Sequence, residues 1–169
     1  MNIALIGYRG TGKSAVSRWL TRQTGKQAVS LDDEIVQSAG KSISQIVEND
    51  GWAAFRDLEQ EITAHFAAMD DLVIDCGGGV VLREANTAVL KSNATLVWLK
   101  AGPAVIEKRI ASSTERPALK DGKSFLEEIE EVLLERTPLY ESAADFSVDT
   151  ENRSPKEIAD LILAELKRR

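Results

Sequence analysis

The densest group of chemistry-bearing residues is Gly7-Tyr8-Arg9-Gly10-Thr11-Gly12-Lys13-Ser14, with Gly7, Gly12, Lys13 and Ser14 at Gly-x-x-x-x-Gly-Lys-Ser spacing. Glycines there let backbone N–H groups converge on phosphate oxygens with no Cβ in the way. The lysine would reach the β- and γ-phosphates of a nucleotide, and the serine hydroxyl would take Mg²⁺. The apolar run Ile3–Ile6 comes before and a helix-like segment from Ala15 follows, so the glycines lie between a buried strand and a helix start. That helix start adds unpaired N–H donors and a partial positive charge. The bland alternative, a glycine turn with an exposed lysine, gives no account of the strand before it and the helix after it. A nucleotide-phosphate site is therefore expected on Gly10, Thr11, Gly12, Lys13, Ser14 and Ala15, with Ser14 as the metal ligand.

This is the P-loop pattern, and by itself it does not separate kinases from GTPases or motor ATPases. The guanine-reading Asn-Lys-x-Asp pattern is absent from the chain, and 169 residues leave little room for motor or sensor subdomains. Small-molecule phosphotransfer needs a phosphate cradle, an acceptor pocket, an orienting carboxylate and a cationic lid. Asp32, just past the second expected strand, is the candidate carboxylate, placed to accept the acceptor hydroxyl's proton. Asp33 and Glu34 read as helix N-terminal acids. Gly77-Gly78-Gly79 follows another expected strand and reads as a close backbone approach, since a glycine triplet is entropically costly without a ligand reason. Arg116 is the lid cation, and with Lys13 and Asp32 it completes the expected catalytic set. Arg56 and Arg136 are the candidate clamp for an anionic acceptor, because a guanidinium suits a carboxylate bidentately.

The elements that must position these residues read, in order, as strand, helix, strand, helices, strand, helix, strand, helix, helix, strand, helix. The strands are Ile3–Ile6, Gln27–Leu31, Asp71–Asp75, Thr95–Leu99 and Asp145–Asp149. Apolar strands alternating with helices predict an α/β protein, a parallel sheet covered on both faces. Between the second and third strands, Gly40 breaks a first helix, Ser42 caps a second, and a longer helix starts near Gly51. Its Trp52, Phe55, Leu58, Ile62 and Phe66 form an apolar stripe read as core, with Phe55 also placed to border a ligand. An insertion beside the carboxyl ends of the strands is where such a protein would hold a second ligand. Residues 112–124 lose the apolar period and read as either a functional flap or a loose connection; Arg116-Pro117, which a solvent linker would not need, favours a lid. Pro138 is expected to stop the helix that begins at Phe125, and Ser154-Pro155 with Glu157 to open the last one.

Composition narrows the class. The chain reads as one domain, 1–169, with 43% hydrophobic and 28% charged residues. A net charge of −6 argues against a nucleic-acid binder, and the basic end Lys167-Arg168-Arg169 suits a helix dipole. No apolar run reaches the length of a membrane span, and Met1-Asn2 runs straight into a strand, so neither a membrane role nor a signal peptide is expected. One cysteine, Cys76, excludes an internal disulfide and reads as a buried small side chain. His65, without a partner, reads as a surface residue. A cytoplasmic setting fits these readings.

Taken together, Gly7–Ser14, Ser30-Leu31-Asp32, Gly51-x-x-x-Phe55-Arg56, Gly77–Gly79, Arg116-Pro117 and Arg136-x-Pro138-Leu139-Tyr140 resemble shikimate kinase. The resemblance runs end to end in the right order. It implies a three-layer P-loop fold with a five-stranded parallel sheet of order 2-3-1-4-5, a substrate-binding helical segment over 32–65 and a lid over 112–124. It also implies transfer of the ATP γ-phosphate to the 3-hydroxyl of shikimate with Mg²⁺, on the route to chorismate and aromatic amino acids; a monomer is expected. Arg56 and Arg136 would hold the acceptor carboxylate, Asp32 and Gly77–Gly79 its ring. Glu59 matches a glutamate that helps order Arg56; Arg109 and Arg153 match positions near adenine, and Arg116 is expected on the transferring phosphate of the nucleotide. The chain departs from the family where Asp-x-Asp is usual, carrying Ser30 in the first place; a serine can bond a metal-bound water but lacks the charge. Asp75 is the candidate to compensate. Trp52 and Val47 also replace residues usual near the pocket. The competing readings are another small-metabolite kinase such as a gluconate kinase, and a non-catalytic nucleotide-binding regulator of the same fold.

Overall fold

The computed structural model describes residues 1–111 and 124–169. Five strands, β1 (Asn2–Ile6), β2 (Gln27–Ser30), β3 (Leu72–Asp75), β4 (Ala94–Lys100) and β5 (Phe146–Asp149), pair in parallel in the order β2-β3-β1-β4-β5. This is the order the resemblance implies. Both faces of the sheet are covered, as the buried apolar runs of the three central strands β3, β1 and β4 require. On one side Ile3, Leu5, Val73, Val97 and Leu99 pack with Val16 and Leu20 of α1 (Lys13–Thr24) and Ile158 and Ile162 of α7 (Pro155–Arg168). On the other, Ala4, Ile6, Ile74, Leu96 and Trp98 meet Leu90 of α4 (Glu84–Asn93) and Tyr140 of α6 (Phe125–Ala143). β1 therefore sends alternate side chains into two cores, and its carboxyl end carries the glycine-rich loop up between them.

The helices start and stop where local chemistry dictates. Ser42 with Gln45, Ser124 with Glu127 and Ser154 with Glu157 form reciprocal capping boxes on α3 (Ile43–Ala67), α6 and α7. Gly40 ends α2 (Leu31–Ala39), and α3 is broken at Gly51, where φ is 87° and ψ is 167°. The three helical pieces expected between the second and third strands are thus present.

Three expectations need correction. The helix carrying Arg136 does not stop at Pro138: α6 continues to Ala143, because Tyr140 and Ala143 beyond the proline are buried against the sheet. That anchoring outweighs the hydrogen bond the proline cannot give to the preceding turn. Asp71 is not in β3 but takes a left-handed conformation (φ 60°) just before it. Trp52 is not core: it is 55% exposed, while Phe55 is buried and Leu58, Ile62 and Phe66 are partly so. His65 is exposed and Cys76 buried, as expected. No helix among the described residues is long and apolar enough to cross a membrane.

Candidate active site

The glycine-rich loop turns back at Gly10 and Gly12, whose φ values of 79° and 93° are left-handed and favour glycine. Thr11 Oγ1 donates to Tyr8 O at 2.8 Å and closes the turn. Gly12 is the N-cap of α1 and supplies no side-chain cap, so the first N–H groups of the helix face the loop's concavity. Lys13 is buried and its Nζ donates to Gly7 O (2.8 Å) and Tyr8 O (3.1 Å). Burial pulls its pKa below the ordinary lysine value, opposed by the carboxylates of Asp75 and Asp32.

The second part of the site is built around Gly77–Gly79, which leave β3 and lead into a single 3-10 turn at Val80–Leu82. What crowds this segment explains its lack of side chains. A Cβ on Gly77 would stand 2.7 Å from Asp32 Oδ1 and 3.3 Å from Glu59 Oε2. A Cβ on Gly79 would stand 2.6 Å from Arg56 Cζ, and one on Gly78 would be 3.6 Å from an Nη atom of Arg136. Asp32 from the first turn of α2, Arg56 from α3 and Arg136 from α6 therefore converge on three consecutive backbone units. The same burial that orders this cluster raises the pKa of Asp32, with Lys13 opposing and Asp75 reinforcing the shift.

Arg56 is held from three sides. Its Nη1 donates to Glu59 Oε1 at 2.8 Å, and its guanidinium lies 5.0 Å from the Phe55 ring centroid and 5.4 Å from that of Trp52. Glu59 is buried, which raises its pKa, and the hydrogen bond from Arg56 opposes the rise. Phe55 thus borders the site through the arginine it supports, not only as core.

Two functional contacts were not assigned from sequence. Tyr140, buried and stacked on Trp98 with centroids 5.8 Å apart, donates its hydroxyl to Gly78 O and pins the glycine segment. The signal was its i+4 spacing from Arg136, which puts both on one helix face. Ser14 Oγ donates to Asp75 Oδ2 at 2.6 Å. Arg109 reaches Gly10 O (3.3 Å), Thr150 Oγ1 (3.0 Å) and Thr150 O (3.1 Å), bridging the loop to the segment after β5. Arg153 is exposed and donates to Asp149 O at 2.7 Å, on the same side of the sheet's end. Ser30 caps α2, its Oγ accepting from Asp33 N at 3.3 Å. Arg116 and the lid segment 112–124, apart from Ser124, lie outside the described residues.

A phosphate cradle on a 2-3-1-4-5 parallel sheet, faced by a carboxylate and two arginines, defines a P-loop kinase. The shikimate kinase family model matches residues 9–167. The shikimate kinase of Thermodesulfovibrio yellowstonii is 40% identical over 99% of this chain and 95% of its own length. The solved shikimate kinase from Acinetobacter baumannii in complex with shikimate superposes with a TM-score of 0.92, at 28% identity, over 99% of this chain and 93% of its own. A gluconokinase from Sinorhizobium meliloti gives 0.60 at 18% identity over 99% of this chain and 91% of its own, a likeness of fold alone. The chain belongs to the shikimate kinase family, and it is an ATP-using phosphotransferase.

Proposed function

We propose that this chain transfers the γ-phosphate of ATP to the 3-hydroxyl of shikimate, with Lys13, Asp32, Arg56 and Arg136 as its working side chains. The observation that carries this reading is the convergence of Asp32, Arg56 and Arg136 on Gly77–Gly79, beside the field of Lys13. Two guanidinium groups next to bare backbone fit a compact acid with ring hydroxyls. Asp32 orients the acceptor hydroxyl and takes its proton; burial has already made this carboxylate more basic than usual. Lys13 has three donors and spends two on loop carbonyls, which fixes its ammonium at the mouth of the cradle. There it offsets charge that builds on the transferred group. The backbone of Gly10–Ala15 holds the phosphates, and Arg109 and Arg153 border the nucleoside.

The donor set fits Mg²⁺. No group of three or more His, Cys, Asp or Glu side chains able to hold a metal occurs among the described residues. Ser14 and nearby carboxylates, completed by phosphate oxygens and water, are the kind of partial shell that Mg²⁺ accepts. Bound there, it would supply charge neutralisation between the phosphates. Residues 32–65 serve as the acceptor-binding segment of one domain spanning 1–169, working as a cytoplasmic monomer.

The test is ADP release from ATP and Mg²⁺ with shikimate, gluconate or buffer alone. Shikimate alone should stimulate it, and Lys13→Ala should lower the stimulated rate by several orders of magnitude. Equal rates with shikimate and buffer refute the reading; stimulation by gluconate instead favours the runner-up.

A further inference from the structure

A short way past the glycine segment stands a cation outside the acceptor cluster. Arg83 precedes α4 as its N-cap but makes no side-chain capping bond. Its guanidinium crosses to α3 instead, where Nη1 donates to Asp57 Oδ1 at 2.7 Å and to Gln60 Oε1 at 3.1 Å. Asp57 and Gln60 each follow Arg56 and Glu59 by one position, so one turn of α3 carries both the acceptor arginine and the groups that Arg83 holds. The stretch between Arg83 and the glycines is stiff. Val80 N donates to Gly77 O (3.1 Å), Leu82 N to Gly79 O (3.0 Å), and the side chain of buried Asn86 to Val80 O (3.0 Å). Arg83 is therefore the far end of a strut that joins Gly77–Gly79 to the helix bearing Arg56.

The spacing set by that strut has little slack, since a Cβ on Gly79 would already lie 2.6 Å from Arg56 Cζ. A misplacement of about 1 Å by a residue remote from the chemistry can cost about 100-fold. For the fold itself the contact matters less: the Asp57 side chain is 73% exposed, and exposed ion pairs add little stability. We infer that Arg83 is a positioning residue for the acceptor: by gripping Asp57 and Gln60 it fixes the distance from α3 to the glycine segment, and with it the aim of Arg56. The inference rests on the reading of Arg56 as part of the acceptor clamp.

The test is steady-state kinetics with each substrate varied in turn, beside thermal melts. Arg83→Ala should raise the KM for shikimate by roughly 3- to 30-fold, the range expected when a coupling contact is cut. The KM for ATP should stay within about twofold, and Tm within about 4 °C of wild type. Because one nitrogen makes both bonds, Arg83→Lys can keep them and should recover most of the loss. Added to Asp57→Ala with Gln60→Ala, Arg83→Ala should cost less than about twofold more. If Arg83→Ala does not fold by circular dichroism, that α3 variant cuts the same contacts and carries the same expectation. A KM for shikimate within twofold of wild type, equal rises in both constants, or additive losses overturn the inference. So does a larger fall in Tm, which would make Arg83 a residue of the fold alone. Hydrogen exchange of the unliganded protein reads the strut without turnover: in Arg83→Ala, amides of 52–60 and 77–82 should exchange faster while those of α7 do not change. Unchanged exchange in both segments refutes the role of Arg83 alone. Faster exchange in a chain whose wild type ignores shikimate refutes the proposed reaction alone.

Discussion

Gly79→Ala tests the geometry of the acceptor site with a single methyl group. Gly79 has φ −97° and ψ 7°, a conformation open to alanine, so the backbone itself gives no reason for glycine. The obstacle is the Arg56 guanidinium, whose Cζ would lie 2.6 Å from the new Cβ. Either group must move, and the end of a long side chain moves more cheaply than a segment pinned by Tyr140. The displaced guanidinium would lose its 2.8 Å bond to Glu59 and its aim at the acceptor carboxylate. A hydrogen bond to a charged group contributes about 1.5–3 kcal/mol. At about 1.4 kcal/mol per factor of ten, that loss raises the KM for shikimate by roughly 10- to 150-fold. The KM for ATP should change by less than about twofold, because the cradle does not touch Gly79. Steady-state kinetics with each substrate varied in turn reads both numbers. Because the methyl acts through Arg56, Gly79→Ala added to Arg56→Ala should cost almost nothing more. An unchanged KM for shikimate in a folded Gly79→Ala, or additive losses in the double variant, would refute the reasoning.

Arg136→Lys should raise the KM for shikimate with little effect on that for ATP, since a point charge replaces a planar fork; movement of the ATP constant alone would put Arg136 elsewhere in the mechanism. Asp32→Asn should abolish turnover yet raise Tm at pH 7. The folded pKa of Asp32 is above the unfolded one, so its contribution to stability is present below the unfolded value of 3.8 and lost as pH rises through the folded value. The gain in the variant should therefore vanish when thermal melts are run below about pH 3.8, and a lower Tm at pH 7 would contradict the burial argument. Tyr140, whose pKa burial raises from 10.0 to about 12, makes the opposite end of the pH scale informative. Its contribution is intact below pH 10 and is lost as pH climbs from there through the folded value, a difference of roughly 2.7 kcal/mol at 1.36 kcal/mol per unit. Urea titrations across that window should show the loss in wild type and a smaller one in Tyr140→Phe; equal slopes would exclude Tyr140 as its source.

Local rules settle what neighbours in sequence settle. The glycine-rich loop, the capping boxes at Ser42, Ser124 and Ser154, the stop at Gly40 and the break at Gly51 all follow from residues within a few positions of one another. These are short-range hydrogen bonds and backbone conformations, so the sequence alone determined them, and with them the alternation that makes the sheet parallel. The candidates Lys13, Asp32, Arg56, Arg136 and Gly77–Gly79 were legible as residue types at the ends of those elements.

Only the tertiary structure decided which of them meet. Asp32, Arg56 and Arg136 arrive at the glycine segment from α2, α3 and α6, and no spacing along the chain encodes that convergence. The same holds for Ser14 with Asp75, 61 positions apart, and for Tyr140 with Gly78, 62 apart. Pro138 and Trp52 misled for the matching reason: the helix passes through one because Tyr140 beyond it is anchored, and the other stays exposed because the core beside it is already filled by Phe55, Ile35 and Ile46. Propensity and periodicity weigh single segments at fractions of a kcal/mol per residue, whereas burying a large side chain is worth about 1.5–3 kcal/mol, so where the two conflict packing wins.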